Sequence, residues 1–170
     1  MPVGPATTGF TIVELVVVII LLAILSAVAL SRTVSTTAFT PATVAHQLQQ
    51  ELKLAQATAM ARQDSQISLQ MDLSADDWRL LTNSSVDGVL RTVTVPAENT
   101  DIRLTSGTTV ETLQDGGALI VQFTSLGDLS TLSVEGTSVA VSGGLLVEVM
   151  GDSVRQLCLY NSGYLANGNC

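Results

Sequence analysis

Cations are scarce in this chain: its seven Lys and Arg include one lysine, Lys53, against fifteen Asp and Glu, a net charge of −8 over 170 residues. From residue 66 onward four arginines face twelve carboxylates and there is no lysine at all. A surface of that sign repels phosphate backbones, so no nucleic acid is expected as a partner; it suits a solvated head that stays soluble when crowded. Histidine occurs once, as His46, and cysteine twice, as Cys158 and Cys170. With so few ligands no His/Cys/Asp cluster has metal-binding spacing. No Ser/His/Asp set with a plausible orienting group can be assembled, and no glycine loop of the phosphate-binding kind appears. No enzyme activity and no cofactor are therefore expected. Asp115, Asp128 and Glu135 could be imagined around a calcium ion, but solvated turn residues are the simpler reading of all three. His46, beside Gln47, reads as a surface residue and Trp78 as core.

What the chain has instead is one long apolar run. Of the residues from Phe10 to Leu30 only Thr11, Glu14 and Ser26 are not apolar. As a helix the run spans roughly 32 Å at about 1.5 Å per residue, enough for a bilayer core. Ala27-Val28-Ala29 has the form of a signal-peptide cleavage site. The run is longer than an ordinary signal-peptide core, however, its leader has no Lys or Arg, and a carboxylate interrupts it. A plain membrane anchor does not explain Glu14 either, because an ionised carboxylate at that depth costs up to about 3 kcal/mol.

Gly9-Phe10-Thr11-Ile12-Val13-Glu14 followed by the apolar run resembles the processing site of type IV prepilins and type II secretion pseudopilins. The resemblance implies that a membrane peptidase cuts between Gly9 and Phe10 and methylates the new amino terminus. It implies that Glu14, fifth in the processed chain, serves filament assembly by meeting the Phe10 amine of a neighbouring subunit. A buried carboxylate is tolerable where a cation meets it. The partners implied are other pilin or pseudopilin subunits, the prepilin peptidase/N-methyltransferase, an inner-membrane assembly platform and membrane lipid. The implied location is the inner membrane, single-pass with a periplasmic head, and then the filament or cell surface.

The rest of the chain changes period twice. Ser31–Thr40 is a poor helix former, and Thr40-Pro41 reads as a helix start. Val44, Leu48, Leu52, Ala55 and Ala59 then recur at spacings of a helix face. From Gln66 the period becomes two, with strands expected at 66–71, 77–82, 89–95, 101–105, 118–124, 129–134, 138–142, 145–150 and 154–160. Asp87-Gly88, Ser106-Gly107, Asp115-Gly116-Gly117 and Gly143-Gly144 are the expected turns. The fold expected is α+β: a long N-terminal helical stem over 10–62, transmembrane over 10–30 and loosened at about 31–41, packed on an antiparallel head over 63–170, with a leader at 1–9.

Cys158 and Cys170 would close a loop of about a dozen residues if paired, for about 2–3 kcal/mol; in a reducing compartment they would be separate thiols. The apolar export-type segment ahead of them favours the pair. Phe123-Thr-Ser-Leu-Gly127 and Asp77-Trp78-Arg79-Leu80 are similar to elements of the GspH/FimT-like branch of minor pilins and pseudopilins. The ending, from Leu157 through Gly163-Tyr164 to Cys170, is similar to minor pilins of the mannose-sensitive haemagglutinin type, which implies a hairpin closed by a terminal cystine. The function implied is that of a structural minor pilin or pseudopilin subunit; the alternative is a filament-tip adhesin or assembly-priming binding subunit.

Overall fold

Val44, Leu48, Leu52, Ala55 and Ala59 lie at most 1% exposed along one face of a helix, Thr40–Ala61 (α2), in the computed structural model of the chain. The structure describes residues 12–31, 40–63, 65–140 and 143–170, without the side chains of 24–31. Two compact units divide the chain, Met1–Thr36 and Thr37–Cys170. The first contains a separate helix, Ile12–Ser31 (α1). The second contains α2 and all the strands.

The strands alternate between two antiparallel sheets. Ile67–Ser74 (β1), Asp77–Ser84 (β2) and Gly88–Pro96 (β3) build one side of the first sheet. Asp101–Ser106 (β4) and Thr109–Thr112 (β5) belong to the second. Ala118–Phe123 (β6), Leu129–Val134 (β7) and Thr137–Ser138 (β8) return to the first, and Leu145–Met150 (β9), Arg155–Leu159 (β10) and Leu165–Asn167 (β11) complete the second. The orders are β3-β2-β1-β6-β7-β8 and β11-β10-β9-β4-β5. Because successive strand residues point to opposite faces, each sheet turns one apolar face to a core shared with α2. Ile67, Leu69, Met71, Trp78, Val121 and Phe123 come from the first sheet, and Ile102, Leu104, Val147 and Leu159 from the second. Trp78 is fully buried, and its indole Nε1 donates to Thr100 Oγ1 at 2.9 Å, so the ring's one polar atom is matched.

Several expectations are corrected here. A long N-terminal helix packed on the sheet over 10–62 is not formed: α1 and α2 are separate elements in different units. Among the described residues strand outweighs helix, 63 residues against 42, so the fold is predominantly antiparallel β and not the α+β stem-and-head arrangement expected. The physical reason lies in the faces. Only α2 has a single apolar stripe with a polar back, which is what a sheet can cover. The single-pass inner-membrane location over 10–30 is corrected as well. Among the described residues no helix is long and apolar enough to cross a membrane. The leader 1–9 lies outside the described residues, as does most of the loosened turn expected at about 31–41; of the strand expected at 138–142, Ser138 is strand, Val139 and Ala140 are not, and the rest lies outside them.

Candidate functional site

Two surfaces carry the residues singled out by sequence. The first is α1. Glu14 lies exposed in its first turn, where the partial positive charge of a helix start favours a carboxylate. Around it the apolar side chains from Ile12 to Leu22 are 46% to 85% exposed, on every side of the helix and not along one stripe. Gly9 and Phe10, the expected processing site, lie outside the described residues.

The second surface is the C-terminal hairpin. Cys158 and Cys170 form a disulfide. Leu157 and Leu159 of β10 turn to the core, so Cys158 between them points to the outer face of the second sheet. There it is fully buried, and the bond packs over Gly144, where an added Cβ would meet Cys170 Sγ at 3.0 Å and Cys158 Sγ at 3.1 Å. The hairpin ahead of it closes through Tyr160 N–H to the Tyr164 carbonyl at 2.9 Å and Gly163 N–H to the Tyr160 carbonyl at 2.8 Å. Its two tyrosines, the only two of the chain, stack with centroids 6.0 Å apart, and Tyr164 is largely exposed.

This hairpin is tied to the rest by one side chain that sequence reading passed over. Gln56 Nε2, on α2, donates to the Gly127 carbonyl at 2.9 Å and to the Ser162 carbonyl at 3.3 Å. Gly127 ends the Phe-x-x-x-Gly element between β6 and β7, and Leu129 N–H also donates to the Asn161 carbonyl at 2.8 Å. One glutamine thus joins the helix, a loop of the first sheet and a hairpin of the second. The signal available in the sequence was the pair of glycines. Both Gly127 and Gly163 take positive φ, +88° and +71°, and both are buried. The glutamine itself looked like any other on the polar side of α2.

The remaining candidates are not brought together. Asp115 and Glu135 line one shallow pocket between the β5–β6 and β7–β8 turns, where Glu135 Oε1 accepts from Gln114 N–H at 3.2 Å. Asp128 is at the opposite end of β7. No group of three or more His, Cys, Asp or Glu among the described residues could hold a metal ion. His46 is exposed at the rim of a shallow cleft of about 310 Å³ shared with Gln49, Arg155 and Asn167. Two charges missed by sequence reading are structural. Glu51, 3% exposed on α2, accepts from Arg91 Nε at 3.2 Å and from Gln47 Nε2 at 3.1 Å. Asp72 accepts from Arg79, directly opposite on β2, at 3.0 and 3.2 Å, and this hydrogen bonding and charge hold the guanidinium above its ordinary basicity. No protein-family model, no curated protein and no solved structure matches the chain.

Proposed function

We propose that this chain is a structural subunit of a helical filament, a minor pilin or pseudopilin of the type IV pilus or type II secretion kind, that assembles through its N-terminal helix after a prepilin peptidase cuts between Gly9 and Phe10. The observation that carries the reading is α1, with apolar side chains exposed on every side and Glu14 in its first turn. A helix apolar all round needs other helices around it. Cutting after Gly9 frees a cationic amine at Phe10, one helical turn before Glu14. In a stack of such helices the carboxylate of one subunit meets the amine of the next. The pair neutralises both charges within an apolar surrounding and sets the axial register, because a cation left alone there is costly. The partners are other pilin or pseudopilin subunits, the prepilin peptidase/N-methyltransferase and the assembly platform that extrudes the filament.

Two variants test this. Gly9→Val puts a branched side chain where the peptidase must approach the backbone, so the precursor is expected to keep its full mass. Normal processing of that variant would overturn the cleavage assignment. Glu14→Val is expected to leave the melting temperature of the second unit unchanged, since Glu14 belongs to the first. Its recovery with sheared filaments should drop sharply. Equal recovery of wild type and Glu14→Val rules out the assembly role.

A further inference from the structure

The outermost strand of a sheet leaves a row of N–H and C=O groups open to another chain, and natural proteins blunt such edges with short strands, charges or prolines. The two sheets here have four edges. Three are short: β8 has two residues, β11 three and β5 four. The fourth, β3, has nine. Its register with β2 shifts between Thr82 and Asn83, and Pro96 ends it, which leaves Arg91-Thr92-Val93-Thr94-Val95 as an unbroken edge. The segment is rich in β-branched residues, the types that favour pleated pairing. No described strand pairs with its far side.

Charge singles out the same strand. Between Asp87 and Glu98 there is no carboxylate, in a chain of net charge −8. The one charge there, Arg91, is held by Glu51 of α2. Two copies of an acidic molecule repel least where each presents an acid-free edge.

We propose that β3 pairs with β3 of a second copy of this chain, antiparallel, with Val93 opposite Val93 on a two-fold axis, so that two six-stranded sheets become one. The register follows from the strand. Arg91, Val93 and Val95 lie opposite Thr82, Leu80 and Trp78 of β2 and share their core-facing side, whereas Thr92 and Thr94 face outward beside Leu81 and Arg79. Centring on Val93 sets each Thr92 against the partner's Thr94 and each Arg91 stem against the partner's Val95, all favourable cross-strand pairs. Centring on Arg91 would oppose like charges, and centring on Thr92 would bring the two guanidinium groups within about 7–8 Å of each other on the diagonal. Centring on Thr94 sets Pro96, which has no N–H, against the partner's Thr92, and centring on Val95 or beyond draws it further into the ladder.

The test is cross-linking of the full chain under mild oxidation with Cys158–Cys170 intact. Directly opposed residues lie within disulfide reach, while residues two places out of register do not. Val93→Cys is expected to give a covalent dimer. A mixture of Thr92→Cys and Thr94→Cys chains should do the same, though neither should do so by itself. Val110→Cys, exposed on the β5 edge, should give none. Adding Thr92→Lys to Val93→Cys should abolish the dimer. Thr92 and Thr94 are exposed, so these variants keep the fold, which a melting curve checks. Because association through α1 imposes no β3 register, it cannot reproduce this pattern. Cross-linking of Val93→Cys no greater than that of Val110→Cys overturns the proposal. So does Thr92→Cys linking to itself as readily as to Thr94→Cys, or capture of a different protein by β3 in place of a second copy.

Discussion

Gly163 and Gly88 both take a left-handed backbone conformation, at φ +71° and +74°, yet they do so for different reasons. Around Gly88 an added Cβ would meet nothing within 4 Å. At Gly163 it would collide with the Gly127 carbonyl oxygen and with Gln56 Nε2, the atoms of the three-way junction. Gly88→Ala should therefore cost only the backbone term, about 1 kcal/mol. Gly163→Ala should cost about 2–4 kcal/mol, because backbone strain is joined by a clash with backbone that cannot give way. Chemical denaturation of the two variants side by side checks the difference. Asp72 and Arg79 make no comparable demand. A guanidinium held above its ordinary basicity contributes stability at every pH below that value and loses it only in stronger base. Between pH 5 and pH 9, roughly, Arg79 should add no slope to stability.

Among the elements, α2 was the most legible. Each residue of its expected stripe is buried against the sheets. Leu48→Ala should cost about 2–5 kcal/mol by leaving a cavity, while Leu54→Ala, 41% exposed, should stay within about 0.5 kcal/mol. Thermal melts separate the two readily. Gln56→Ala should cost about 1–3 kcal/mol by orphaning two carbonyls. Its distinctive effect is joint: hydrogen exchange should speed up in the 124–128 loop and the 160–164 hairpin together, although they belong to different sheets. Strand periodicity placed β1, β2, β3, β4, β6, β7, β9 and β10. It missed β5 because Thr109–Thr112 buries none of its side chains and so shows no apolar alternation. It missed β11 because three residues are too few to show a period. The two helices were run together as one stem, since a long apolar stretch and a following amphipathic one do not by themselves say where one unit ends.

For the whole second unit, the disulfide holds the last residues of the chain over the outer face of the second sheet. Closing a loop with a sequence separation of 12 is worth about 3 kcal/mol in the chain-entropy model. Cys170→Ser should lower stability by up to that amount and expose residues 165–170 to protease. Trypsin is a poor probe there, since Arg155 is the last cationic residue, so chymotrypsin acting at Tyr160 and Tyr164 is the better choice. A variant as stable and as resistant as wild type would show that the hairpin is held by Gln56 and its own hydrogen bonds alone.

By itself the sequence determined the local facts. It placed an amphipathic helix, alternating strands separated by glycine turns, and an acidic balance of charge. These follow from periodicity, turn chemistry and charge, which act over a few residues or over the whole composition. Only the tertiary structure decided that the strands divide between two sheets in alternation. Only it decided that Gln56 joins them, that Glu51 is buried beneath Arg91, and that β3 is the one long open edge among the described strands. Each of these depends on partners 40 to 106 residues apart or on which strand finishes last in a sheet, and neither leaves a mark in the spacing of neighbouring residues.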